Sequence, residues 1–104
     1  MIWLKDINDR QIRLTNERLK HIETDHPEMS DQIAKISETL QFPDIIIRSN
    51  TDYEVELFYR HYKSTPVTEK YMCIAVKAKQ NDPFILTAYF TDKIKRGAIL
   101  WQKK

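Results

Sequence analysis

Residues 70–91 read KYMCIAVKAKQNDPFILTAYFT, and the fold turns on how this stretch divides. Lys70 to Lys79 and Phe84 to Thr91 have the composition of strands, and Gln80-Asn81-Asp82-Pro83 between them is a tight turn. Strands joined by so short a connection pair antiparallel. Upstream, Tyr53 to Tyr62 reads as another strand, followed by a loop with Ser64-Thr65-Pro66. Asp44 to Arg48 is a short β-branched strand, set off by the turn cluster Ser49-Asn50-Thr51-Asp52. Together they predict an antiparallel meander.

The N-terminal part is helical. Arg10 to Thr15 alternates polar and apolar, which suggests a short strand. Thr15 can then cap a helix over Asn16 to Asp25. Pro27 suits the first turn of a second helix, whose Met29, Ile33, Ile36 and Leu40 form one apolar stripe before Phe42-Pro43-Asp44 stops it. The expected fold is α+β: an N-terminal helical hairpin packed on one face of a roughly four-stranded antiparallel meander, in a single domain over 1–104.

Alternation sorts the strand residues into faces. Met72, Ile74, Val76 and Ala78, with Phe84, Leu86, Ala88 and Phe90, are expected to meet the helices. Arg60, Tyr62, Lys77, Thr87 and Tyr89 are assigned to the opposite, polar-aromatic face. An uncovered sheet face with basic and aromatic side chains suits RNA, since bases stack on rings and phosphates meet cations; an ordinary solvated face has the same look.

Composition narrows the function classes. The chain has 104 residues, 41% hydrophobic and 31% charged, with one Cys and one Gly. One Cys excludes a disulfide scaffold and a cysteine-based zinc site, and one Gly excludes Gly-rich phosphate loops. The longest apolar runs are far short of the roughly 20 residues a membrane span needs. The N-terminus MIWLKD carries charge too early for a signal peptide, so a cytoplasmic protein is expected. Residues 1–59 hold 7 Lys+Arg against 12 Asp+Glu, a net of −5, and residues 60–104 hold 10 against 3, a net of +7. A basic C-terminal half points to a polyanionic partner, or else the two halves neutralise each other across the fold.

The three histidines, His21, His26 and His61, lack metal-ligand spacing, and no cofactor is expected. RNA cleavage needs only a group that takes the 2′-hydroxyl proton, a group that protonates the leaving 5′-oxygen and a cation for the phosphorane. His21 has Glu17 and Asp25 four residues to either side. His26, near the end of the helix, reads as a cap or a core-rim residue. Arg48 ends a strand, where a phosphate-binding arginine can stand. In Lys93-Ile94-Lys95-Arg96-Gly97-Ala98-Ile99-Leu100-Trp101, basic residues mix with apolar ones, and Ile99 and Trp101 are expected to cover the core.

The runs RLTNERLKHIETDHPEM, IIIRSNTDYEVELFYRHY and YMCIAVKAKQNDPFILTAYFTDKIKRGAILW resemble the phage–barnase–EndoU–colicin–RelE-like nuclease family, from about Arg13 to Trp101. The resemblance implies a metal-independent endoribonuclease, as a toxin restrained by a small antitoxin protein. It implies catalytic roles for His21, Arg48, Arg60 and Thr87. The face argument adds Tyr62, Lys77 and Tyr89 as substrate-binding residues, and Lys93 joins them from the basic C-terminal segment. The alternative is a catalytically inert module of the same fold that binds RNA or protein, or a subunit whose role is association.

Overall fold

Thr15 is extended and its hydroxyl accepts the Arg18 N–H at 3.0 Å, which starts helix α1 over Asn16–Asp25 as its sequence predicts. The computed structural model describes residues 1–104. In chain order the elements are β1 (Ile2–Lys5), β2 (Gln11–Leu14), α1, a 3₁₀ turn (Pro27–Met29), α2 (Ile33–Gln41), β3 (Ile45–Arg48), β4 (Val55–Tyr62), β5 (Lys70–Lys77), β6 (Phe84–Thr91) and β7 (Ile99–Gln102). Neither helix is long and apolar enough to cross a membrane.

The expected architecture is overturned. The strands form one seven-stranded mixed sheet in the order β1-β2-β6-β5-β4-β3-β7, not a four-stranded meander. Neighbours are antiparallel except β2 and β6, which run parallel and share a single registered pair, Arg13 with Phe84. The N-terminal helical hairpin is corrected too. Pro27 opens only the 3₁₀ turn; Ser30 is extended and Asp31 sits at φ 60°, so α2 begins afresh at Ile33. β1 and β7 are four residues each, too short to show a period in the sequence.

Cross-strand partners lie on the same face, so the register fixes the faces. Phe58 pairs with Ile74, which pairs with Ala88. These residues, with Met72 and Val76, join Ile22 of α1 and Ile36 and Leu40 of α2 in the larger core. Arg60 is opposite Met72 and so belongs to the helix side. A bulge between Ala75 and Val76 breaks the alternation of β6: Ile85 takes the helix side and Leu86 turns away from it. Leu86 is thus corrected to the smaller core on the opposite face, built from Ile45, Ile47, Val55, Leu57, Tyr59, Cys73 and Ala75.

Residues 92–98 form a strap over that second face, carrying the chain from β6 across to β7. Ile94 packs on the smaller core, and the Lys95 N–H donates to the Tyr59 hydroxyl at 3.1 Å. Arg48 N–H donates to the Ala98 carbonyl at 2.9 Å. Gly97 crosses β3 so closely that a Cβ there would lie 2.2 Å from the Arg48 carbonyl oxygen and 2.6 Å from Ile47 Cγ2. Cover therefore comes from Ile94. Ile99 and Trp101, expected to fill that role, stand 58% and 37% exposed on the edge strand.

Gly97→Ala is expected to destabilise the protein by about 1–3 kcal/mol through forced displacement of the strap. Ile36→Ala, which empties a fully buried position, should cost about 2–5 kcal/mol. Urea unfolding of both variants reads these values.

Candidate functional site

The four residues assigned catalytic roles do not converge. His21 lies on the outer surface of α1, 61% exposed, with Glu17 as its nearest acid at 3.9 Å. Arg48 sits at the end of β3, stacked on the Tyr53 ring with its guanidinium carbon 4.3 Å from the centroid. Arg60 is on the helix side, where it donates to the Phe42 carbonyl at 2.6 Å and pairs with Glu38 at 3.5 Å. Thr87 is on the strap side, opposite Ala75.

The substrate-binding set divides in the same way. Tyr62 lies beside Arg60 on the helix side and donates to Glu38 at 2.7 Å, fastening α2 to β4. Burial, with the Glu38 carboxylate beside it, pushes the Tyr62 phenol up to about 12. Lys77 is bound to Asp52 at 2.7 Å and Glu54 at 3.3 Å, which holds its ammonium charged. Tyr89 stacks on His26, with ring centroids 5.5 Å apart; its phenol is pushed up by burial and by Cys73. His26 caps the end of α1, its N–H donating to the Ile22 carbonyl. Lys93 is exposed on the strap.

A different group does converge. At the end of β4, His61 Nε2 meets Glu69 Oε2 at 2.7 Å. Tyr71, the cross-strand partner of His61, sets its ring edge against the imidazole at a centroid distance of 5.4 Å. Tyr71 in turn meets the edge of buried Tyr59. Lys70 pairs with Asp92, the first residue of the strap. His61, Glu69, Lys70, Tyr71 and Asp92 line a cleft of about 230 Å³. The His61 side chain is 37% exposed and that of Glu69 62%, so a solute reaches both. Asp44 accepts the His61 N–H at 2.8 Å and anchors this end of β4. The pairing His61–Tyr71–Thr91 was hidden in the sequence, because it depends on the register of three strands. The alternation Val55, Leu57, Tyr59, His61 was the available signal.

The strap runs from this cleft to a second one. Ile94 turns inward, while Lys93, Lys95 and Arg96 are exposed and make no ion pair. Lys63, just beyond β4, is likewise exposed and unpaired. At the far end, Arg48, Ser49, Asn50, Thr51, Tyr53 and Ala98 line a cleft of about 500 Å³. The arrangement offers a proton-transfer pair, a row of free cations and a second cavity along one line. Comparison with protein-family models, curated proteins and solved structures finds no match for this chain.

Burial acts to raise the Asp44 carboxyl, but the His61 N–H and the Lys103 ammonium outweigh it and hold it below the usual aspartate range. A depressed carboxyl stabilises the fold above its unfolded pKa of about 4, and that stability is lost as pH falls through the lower folded value. Asp44→Asn should therefore be less stable than the parent at neutral pH. The two melting temperatures should converge on acidification below about pH 4 in a series of thermal melts.

Proposed function

We propose that the protein is an endoribonuclease that cleaves without a bound metal, with His61 rather than His21 as its proton-transfer group. The observation that carries this reading is the His61–Glu69 pair at 2.7 Å, open to solvent and next to the unpaired cations of the strap. The resemblance of the chain to small toxin-like nucleases supports the choice of RNA over other polyanions.

In this mechanism the His61 Nε2–H donates a hydrogen bond to Glu69, which fixes the ring and leaves the Nδ1 lone pair to exchange a proton at the cleft. His61 takes the proton of a ribose 2′-hydroxyl, the oxygen attacks the adjacent phosphorus and the 5′-oxygen leaves. The Tyr71 hydroxyl supplies the proton to that leaving oxygen. Lys93, next to Asp92 at this end of the strap, neutralises the charge that grows on the phosphorane. The product end is a 2′,3′-cyclic phosphate. Arg60 and Tyr62 act as structural residues that hold α2 on the sheet. A small antitoxin protein seated over the cleft would silence such an enzyme.

With total RNA and transfer RNA as substrates, discrete cleavage in the presence of EDTA is expected. His61→Ala should lower the rate by about 10²–10⁴-fold, while His21→Ala should cut at the parent rate. If His61→Ala cuts RNA as the parent does, this assignment falls. If the parent binds RNA with steep salt dependence but never cuts it, the binding-module reading replaces it.

A further inference from the structure

Tyr53 is the most exposed large hydrophobic residue of the chain, at 78%. An aromatic ring this open normally moves with its loop, yet here one face of the ring is covered and the loop that carries it is pinned on both sides. The Arg48 guanidinium covers one face of the ring at 4.3 Å and donates through Nη1 to the Tyr53 carbonyl at 2.7 Å. On the C-terminal side of the turn, Asp52 accepts the Glu54 N–H and the Lys77 ammonium. On its N-terminal side, the Ser49 hydroxyl accepts the Thr51 N–H, and Asn50 donates to the Arg96 carbonyl of the strap. A rigid, solvated ring with a cation behind it has little to contribute to a core. It is ready-made for stacking, because holding it in place costs nothing further when a flat ligand arrives.

We infer that the cleft lined by Arg48, Ser49, Asn50, Thr51, Tyr53 and Ala98 is a second nucleotide subsite. It takes an unpaired base of single-stranded RNA on the free face of Tyr53 and a phosphate on Arg48. This rests on the RNA reading of the previous section and extends it to a place that strand cut beside His61 must also reach. Geometry links the two sites. Along β4, Glu56, the cross-strand partner of Arg48, lies about 17 Å from His61 at about 3.3 Å per residue. The odd spacing starts Arg48 and His61 from opposite faces of the sheet, and the strap reaches from the His61 cleft at Asp92 to the Arg48 backbone at Ala98. Lys95 and Arg96 lie between them, exposed on the strap, and can follow the phosphates of the intervening nucleotides. Arg48, expected from the sequence to act in catalysis, thereby becomes a binding residue remote from the reacting phosphate.

The test uses fluorescein-labelled 2′-O-methyl oligoribonucleotides of about two and about eight nucleotides, which lack the attacking hydroxyl and separate binding from cleavage. Stacking of one base on an aromatic side chain predicts that Tyr53→Ala weakens the longer oligomer about 5- to 100-fold. Tyr53→Phe should bind it like the parent, and the shorter oligomer should not distinguish the three proteins. Tyr53→Ala should melt with the parent, since the ring covers no core. Equal affinity of parent and Tyr53→Ala for the longer oligomer overturns the subsite. So does an equal loss on both oligomers, which would place Tyr53 at the cleft beside His61. If the Tyr53 dependence is found and no RNA is ever cut, the subsite stands and the nuclease assignment falls. If His61-dependent cutting is found with no Tyr53 dependence, the reverse holds.

Discussion

Gly97 passes over β3 with no side chain between its backbone and the Arg48 carbonyl, and one whole side of the sheet depends on that close approach. Any Cβ at this point would lift the strap, and with it Ile94 from the smaller core and the Lys95 N–H from Tyr59. The need here is for space and not for a left-handed backbone, since no glycine in the chain has a positive φ. Because the strap lies flat, its apolar residue is directed inward and its cations outward. A covering segment for the core thus doubles as a charged surface between two clefts.

The helices and the β5–β6 hairpin were legible because each is announced locally. Thr15 at a cap position, the stripe of Ile33, Ile36 and Leu40, and the turn Gln80 to Pro83 each predict structure within a few residues. The rest required information at long range. β1 and β7 have no alternation to read, and β7 is exposed along its whole length. The sequence also contains no sign that β2 lies beside β6, a parallel neighbour from the other end of the chain. The break between the 3₁₀ turn and α2 falls at Asp31, a residue type that tolerates the left-handed region without a glycine to mark it.

The candidate site was less legible than the fold, and for one main reason. Alternation divides a strand into two sets of residues but does not say which set meets the helices. Val55, Leu57, Tyr59 and His61 alternate as cleanly as Glu56, Phe58, Arg60 and Tyr62. Only the pairing of Phe58 with Ile74 settles that Arg60 and Tyr62 face α2 and His61 the strap. Cation counting misled in a second way. Arg60, Lys77 and Lys103 of the basic half are all held by acids of the N-terminal half. Three of the cations that remain unpaired, Lys93, Lys95 and Arg96, stand together on the strap, in a segment whose apolar residues predict only core cover.

The single registered pair between β2 and β6 divides the sheet mechanically. On one side stand five strands joined by ladders of three to eight registered pairs, and on the other a two-stranded hairpin. The hairpin is held by the burial of Leu4, Ile12 and Leu14 in the larger core, by Arg13 on Asp82, by Arg10 on Glu56 and by the Ile7 N–H on Leu40. The N-terminal hairpin is therefore coupled to the rest of the sheet through side-chain packing and not through a hydrogen-bonded ladder, so it cannot open without exposing part of the main core. Truncation of Ile12 or Leu14 would then loosen β1 and β2 ahead of β4 and β5, where eight registered pairs hold the two strands together.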